Sequence, residues 1–300
     1  MLTRKERWQE YRNTFSFPNR LIFSFSIHRL YDIRNDFATH YIVGKGYEIG
    51  AQKSPLHCKN ASKISYIDYL SRKESAQKYN ISAEECVDVD IIADANNLDS
   101  IPSNSASFII ANHVLEHSPN PIEALHGWLR ILKSDGILFL TLPNYKANEF
   151  DFEKIPAPIT HFIADYKKSK KNEDISSEHI YEHIHIIDGI DPDNRQLTQQ
   201  RFDEIVASNL HTHYHVFNKK NALEILNYMH RQTPLEIMNT FSFENSIELL
   251  FIIKKKGPDH HGSFTVKQDP FLNYRILFVQ MIKFLTIKTV SYLKSPWIKK

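Results

Sequence analysis

The chain predicts an α/β fold: a doubly wound, mostly parallel sheet of seven strands with an antiparallel edge pair, a helical N-terminal preface and an insertion after the fifth strand. Three observations carry this expectation. "GYEIG" (46–50), "KISYID" (63–68), "CVDVDIIAD" (86–94), "SFIIAN" (107–112) and "GILFLTLPN" (136–144) are short apolar runs parted by polar segments, the pattern of strands buried on both faces. A capped amphipathic helix separates the fourth run from the fifth, and strand–helix–strand implies a right-handed crossover between parallel neighbours. "PLEIMNTFSF" (234–243) and "SIELLFIIKKK" (246–256) follow closely on one another, as an antiparallel pair closing an edge would.

Each element has a local cause. In residues 1–43, Trp8, Tyr11, Phe15, Ile27, Leu30 and Tyr31 recur at helical intervals with a break at Pro18, which predicts a helical N-terminal extension. Residues 44–256 form the main domain. Within it, Asn120 is the N-cap of the crossover helix, Pro121 fits its first position and Glu123 completes a capping box. Ile122, Leu125, Leu129 and Leu132 give its apolar face, and Ser134-Asp135-Gly136 stops it. Residues 145–215 lose the strand–helix rhythm and read as an insertion over one face of the sheet. "NKKNALEILNYMHRQ" (218–232) restores it with a helix. Residues 257–300 form a basic amphipathic tail: Arg275, Lys283, Lys288, Lys294, Lys299 and Lys300 occur there with no acidic residue after Asp269. Tyr274, Phe278, Met281, Ile282, Leu285 and Tyr292 share one helical side, with Ile276 and Ile287 on the other.

Composition narrows the function classes. With 42% hydrophobic and 24% charged residues the chain can bury a core. A net charge of +2 gives no overall field for nucleic acid. Cys58 and Cys86 are too few for a disulfide framework and wrongly spaced for zinc, which suits two buried thiols in a reducing compartment. The charged start "MLTRKERWQEYRN" is not a secretory signal, and no run reaches the roughly 20 apolar residues of a membrane span. Cytoplasmic is the expected setting.

In an open parallel sheet, ligands bind beyond the carboxyl ends of the strands. The first run ends with Glu48 and Gly50, the second with Asp68, the third with Asp94, the fourth with Asn112. Gly50 lets backbone approach a ligand. Asp68 is placed to accept both hydroxyls of a ribose, and Asp94 to accept from an adenine amine. Glu48 either orients the loop or attracts the positive charge of a nucleoside–amino acid. The single glycine, followed by Ala51 and Gln52, argues against a dinucleotide loop and excludes a P-loop.

With these residues in order, "YEIGAQKSPLH … YID … DIIADANNLDSIPSNSASFIIANHVLEHSPNPIEALHGWLRILKSDGILFLTLPN" resembles the class I S-adenosylmethionine-dependent methyltransferases, and within them bacterial members associated with surface-polysaccharide biosynthesis. The likeness covers residues 44–144 in four motifs and extends weakly to about 256. It implies a Rossmann-like sheet, an enzyme and S-adenosyl-L-methionine as cofactor. It also implies Glu48 and Gly50 in the first motif, Asp68 on the ribose, Asp94 and Ala95 beside the adenine, and Asn112 flanking the methionine. The chain departs from the family pattern in the sparse glycine of the first motif.

"NHVLEH" (112–117) follows the fourth strand and admits three readings. As the start of a helix, its polar residues are caps. As a catalytic turn, His117 accepts the proton of an attacking hydroxyl and Glu116 orients it. As a metal site, His113, Glu116 and His117 hold a divalent ion. The turn resembles the Glu-x-x-Glu-His magnesium turn of certain O-methyltransferases, but a histidine in first place favours softer ions. His211, His213 and His215 would add ligands from one face of an extended segment. A peptidase zinc motif needs a long helix, which Pro119 disfavours. His179, His183 and His185 carry no assigned role.

The insertion should shape the acceptor pocket, and Tyr145, His161, Phe162 and Tyr166 suit sugar rings. The expected function is O-methylation of a sugar or glycan-related hydroxyl in cell-surface polysaccharide biosynthesis. The alternatives are a non-catalytic cofactor-binding module, or transfer to another small molecule or to nucleic acid. The tail either packs on the domain or lies against anionic lipid at the inner face of the membrane.

Overall fold

The computed structural model describes residues 2–208, 210, 212–260 and 262–293. Helix α1 (Arg4–Asn13) starts at a capping box in which Thr3 accepts from the Glu6 backbone and Glu6 returns the bond. Helix α2 (Phe17–Tyr41) carries Pro18 in its first turn, so the break falls just before the proline and not at it.

Among the described residues eight strands form one sheet: β1 (Gly44–Ile49), β2 (Ala61–Asp68), β3 (Ile91–Ile92), β4 (Ala106–Asn112), β5 (Leu132–Pro143), β6 (Leu235–Phe241), β7 (Glu248–Lys255) and β8 (Thr265–Val266). Their order is β3-β2-β1-β4-β5-β7-β6-β8. β2, β1, β4 and β5 are parallel neighbours, and β7 runs antiparallel between β5 and β6. The doubly wound, Rossmann-like expectation holds, with one strand more than the seven foreseen. β6 is therefore interior, and the short β8 pairs with it at the edge. The third strand is only two residues long. Asp90 interrupts it by accepting the Tyr66 amide on its carboxylate, 2.7 Å away, where a backbone carbonyl would continue the ladder.

Alternation along the strands sends side chains to two cores. Ile109, Ala111, Leu138, Leu140, Leu249, Phe251 and Ile253 face helices α4 (Pro121–Ile131) and α8 (Lys219–His230), meeting Trp128, Leu129 and Leu226. Phe108, Ile110, Phe139, Leu250 and Ile252 face the other way, onto Phe25, Ile33 and Phe37 of α2 and onto Leu272, Ile276 and Phe284 of α9 (Pro270–Leu293). Each such buried side chain stabilises by about 1.5–3 kcal/mol. The two ends of the chain thus build one layer of the sandwich.

Helix α4 departs from expectation at both ends. The Asn120 side chain accepts from the Glu123 amide, but the Glu123 carboxylate pairs with Lys170 at 2.7 Å and does not close the capping box. The helix ends at Ile131, and Leu132 already begins β5; Asp135, at φ +62°, makes the turn within it. The insertion is largely helical: α5 (Ile159–Ser169), α6 (Ser176–Ile186) and α7 (Arg195–Ser208), with α3 (Arg72–Tyr79) earlier in the chain.

Helix α9 buries Leu272, Ile276, Gln280 and Phe284, four residues apart, while Phe271, Tyr274, Phe278, Ile282 and Leu285 face outward. Gln280 accepts from Arg29 and donates to Asp36 at 2.6 Å, fixing α9 on α2. The aromatic side marked in the sequence is therefore the exposed one. Tyr292, Lys288, Lys294, Lys299 and Lys300 lie outside the described side chains. Among the described residues no helix is long and apolar enough to cross a membrane. Cys86 is buried and Cys58 half-buried, both as free thiols.

Candidate cofactor and acceptor site

The parallel register brings the acidic strand ends to one edge. Ile49 pairs with Ile67 and with Ala111, Asp68 with Ile92, and Asn112 with Thr141. Gly50, Asp68, Asp94 and Asn112 consequently follow four adjacent strands at their carboxyl ends, where an open α/β sheet binds ligands.

Glu48 is 1% exposed and accepts the Leu56 amide on both oxygens, at 3.0 and 3.1 Å. It orients the loop between β1 and β2 and does not face solvent. Burial pushes its carboxyl up to about 7, against the opposing effect of the Leu56 and Asn112 hydrogen bonds. Asn112 donates to Glu48 at 3.4 Å and accepts from the Thr141 hydroxyl at 3.1 Å, spanning β1, β4 and β5.

Gly50 has φ +69°, and a Cβ there would meet Val114 Cγ2 at 3.1 Å. Backbone of this shape, pressed against the turn after β4, leaves a cradle that a side chain would fill. Asp68 is buried at the tip of β2 and accepts the Leu70 amide at 3.3 Å; burial raises its pKa. Asp94 is exposed and accepts from the backbone and side chain of Asn96, both at 2.8 Å. The Ala95 carbonyl accepts from the Trp128 indole at 2.9 Å, which pins this loop to α4. The glycine cradle and the two carboxylates beyond β2 and β3 fit a nucleoside with a positively charged tail.

"NHVLEH" forms a single 3₁₀ turn, Leu115–His117, and not a helix. Its histidines separate. His113 adopts φ +55° and turns its Nε2 to Glu248 Oε2 at 3.3 Å, where Arg34 of α2 also binds. It does not join Glu116 and His117, so the grouping of those three as metal ligands is corrected. The ligand atoms of Glu116 and His117 gather instead with that of His213, within 4.8 Å of one another.

Glu116 is fully buried, with no hydrogen bond to either carboxylate oxygen. Burial raises its pKa, against the charges of His113 and His213. It does not hydrogen-bond His117. The orienter of His117 is the Thr212 carbonyl, 3.0 Å from Nδ1. A carbonyl only accepts, so Nδ1 carries the proton and the neutral ring's lone pair is at Nε2. His213, its ring 4.8 Å from that of His117, donates from Nδ1 to Asp151 at 2.7 Å. Burial lowers the His213 pKa, but Asp151 and Glu116 more than offset this and leave it raised.

Nothing along the chain marks Asp151, which lies 62 residues from His213. His215 leaves this group altogether for Asp165, so the single face expected for the second histidine cluster does not form. His211 lies outside the described residues. The segment bearing His213 and His215 is held to the turn by Tyr214 N–H donating to the Glu116 carbonyl at 2.9 Å.

A family model described as a methyltransferase domain matches residues 46–221. The chain belongs to that family and is a class I S-adenosylmethionine-dependent methyltransferase. No curated protein sequence matches it. Among solved structures, similar chains include an S-adenosylmethionine-dependent methyltransferase from Thermotoga maritima, at 14% identity and TM-score 0.39, covering 80% of this chain and 98% of that one. The N-methyltransferase NodS from Bradyrhizobium japonicum, in complex with S-adenosyl-L-homocysteine, has 10% identity and TM-score 0.41, covering 78% and 88%. A Rhodobacter sphaeroides protein provisionally described as a zinc-dependent alcohol dehydrogenase has 14% identity and TM-score 0.45, covering 75% and 90%. At these scores the structural likenesses add nothing to the family match.

Proposed function

We propose that the protein transfers a methyl group to a hydroxyl of a sugar or glycan-related acceptor, with His117 as the base. The observation that carries this reading is the pinned His117 ring: the Thr212 carbonyl holds Nδ1–H, directing Nε2 as the proton acceptor, one turn beyond the cradle at Gly50.

S-adenosylmethionine supplies an electrophilic methyl on a sulfonium. In this reading Asp68 accepts from the ribose hydroxyls, the Asp94–Ala95 loop borders the adenine, and Asn112 flanks the methionine part. Glu48 acts by shaping the loop. As the acceptor oxygen forms its bond to the methyl carbon, the carbon–sulfur bond breaks and its electron pair stays on sulfur. The hydroxyl proton passes to His117 Nε2, and S-adenosylhomocysteine and a methyl ether leave. The His213–Asp151 pair stands beside the base, and the buried Glu116 balances the charge that develops on it. A divalent ion among Glu116, His117 and His213 is the weaker reading, since Asp151 and Glu116 raise the His213 pKa and so favour a proton on its Nε2 over a metal.

Support for a sugar acceptor is the polar and aromatic composition of the insertion, in which Tyr166 is half-buried; Phe162, expected on the same pocket, is instead fully buried against His215 and Phe217. A place in surface-polysaccharide synthesis follows only from the resemblance of the sequence, and the inner membrane face as its setting from the tail.

The test is transfer of labelled methyl from S-adenosylmethionine to a panel of nucleotide-linked and lipid-linked sugars. His117→Ala should lower kcat about 10²–10⁴-fold with S-adenosylhomocysteine affinity unchanged. Full turnover in that variant would overturn the base assignment, and transfer only to amines or nucleic acid would overturn the acceptor class.

A further inference from the structure

Behind the acceptor turn, three imidazoles converge on one carboxylate. His161 and Asp165 are one turn apart on α5, His179 lies on α6, and His215 lies in the segment before α8. Their Nε2 atoms stand 3.2, 3.3 and 3.2 Å from the same oxygen, Asp165 Oδ2. All four candidate ligand atoms lie within 4.8 Å of one another. The side chains of Asp165, His179 and His215 are 2%, 5% and 1% exposed, and only His161 reaches solvent.

Hydrogen bonding alone does not account for this arrangement. One carboxylate oxygen has two lone pairs for three approaching rings, and His179 Nε2 makes no hydrogen bond although buried. His215 is the more telling case. Its Nδ1 faces the Ser118 carbonyl at 3.2 Å and must be the protonated nitrogen, so its Nε2 presents a lone pair to the carboxylate. Two lone pairs facing one another in a dry interior need a cation between them. A proton there would make a wholly buried imidazolium.

We propose that His161, Asp165, His179 and His215 bind one divalent zinc-class ion. Three imidazoles and one carboxylate form a donor set for zinc and its neighbours, not for magnesium or calcium. A tetrahedron with bonds of about 2.0–2.1 Å has edges of about 3.3–3.4 Å, and the three separations from Asp165 Oδ2 match such edges. The His215–Ser118 contact is the outer hydrogen bond that metal-bound histidines make to fix ring and tautomer. Phe162, stacked on His215 with ring centres 4.7 Å apart, shields the inner side.

Four protein ligands make the site structural and not catalytic. It clamps α5, α6 and the segment carrying His213 and His215 to Ser118, the residue after the His117 turn. The ion therefore holds the insertion in register with the acceptor site. This inference concerns metal binding and is independent of the acceptor proposed above.

The test starts with chelator-stripped protein titrated with zinc and with cobalt(II). One equivalent per chain is expected, with the visible absorption of tetrahedral cobalt and a rise in Tm of about 5 °C on zinc addition. His179→Ala and Asp165→Asn should abolish both signals. His161→Gln, altering the exposed ligand, tests the same site with little risk to folding and should weaken zinc at least 10-fold. Glu116→Gln and His213→Gln should retain the ion, which separates this site from the neighbouring group. S-adenosylhomocysteine binding should persist in stripped protein, so a metal result is read apart from methyl transfer. Absence of stoichiometric zinc binding by the wild type, or its retention in His161→Gln and His179→Ala alike, would overturn the proposal.

Discussion

The amide of Asn112 meets the carboxylate of Glu48 at 3.4 Å, joining the ends of β1 and β4 beneath the cofactor edge. Glu48 in turn holds the Leu56 amide, so one buried acid ties the glycine loop to the strand that precedes the acceptor turn. Loop shape at this edge thus rests on backbone held from below and not on a series of glycines.

Gly50 is the position where that shape fails first. Alanine there must adopt φ +69° and bring its Cβ to about 3 Å from Val114 Cγ2. Gly50→Ala should destabilise the fold by about 1–2 kcal/mol. It should also weaken S-adenosylhomocysteine at least 10-fold by displacing the loop. Thermal melts and calorimetry check the two effects separately; unchanged affinity would remove Gly50 from the cofactor cradle.

Glu48 makes stability depend on pH in an unusual direction. Its carboxyl is raised from 4.5 to about 7, so the folded state keeps a proton that the unfolded state has released. That contribution is complete below pH 4.5 and is lost as pH rises to about 7, then stays level. Glu48→Gln removes the dependence while leaving an oxygen for the Leu56 amide. In urea denaturation, wild type should lose up to ~3 kcal/mol relative to the variant between pH 4.5 and 8. A pH-independent difference would show that Glu48 is ionised throughout.

Much of this edge was legible in the sequence because strand ends are local facts. Apolar runs bounded by Glu48-Ile49-Gly50, Asp68 and Asn112 mark both the strands and their tips. The third tip follows the apolar pair Ile91-Ile92, but its strand is shorter than the run suggests, since the Asp90 carboxylate takes the Tyr66 amide. The histidines behaved otherwise. His213 and His215, two residues apart, enter different clusters because their partners, Asp151 and Asp165, arrive from 62 and 50 residues away. Only His161 and Asp165, at a helical spacing of four, form a pair visible along the chain.

Asp151 should matter more than its position in the insertion suggests. Its side chain is 1% exposed and sets the basicity of His213 beside the His117 ring. Asp151→Asn removes the charge that holds the His213 pKa above 6.5, leaving burial to favour the neutral ring. A raised histidine pKa contributes stability that is full below pH 6.5 and lost as pH rises past the folded value. The variant should therefore be destabilised by about 3 kcal/mol at pH 6, and the deficit should shrink by pH 9. Chemical denaturation at the two pH values checks this; a constant deficit would mean His213 is neutral in the wild type.

The outer face of α9 presents Phe271, Tyr274, Phe278, Ile282 and Leu285, flanked by Arg275 and Lys283, all exposed. Gln280 and Phe284 fasten the opposite face to α2, so the helix can lie flat on a surface without leaving the domain. Apolar side chains beside basic ones suit the interface of an anionic bilayer, the proposed setting for an enzyme acting on lipid-linked sugars. Vesicles containing phosphatidylglycerol should sediment the protein, and neutral phosphatidylcholine vesicles should not. Raising salt from 0.05 to about 0.5 M should release it by screening. Phe278→Glu, on the outer face and away from the α2 contact, should abolish sedimentation with an unchanged Tm. Equal binding of that variant would assign the exposed aromatic face to something other than lipid.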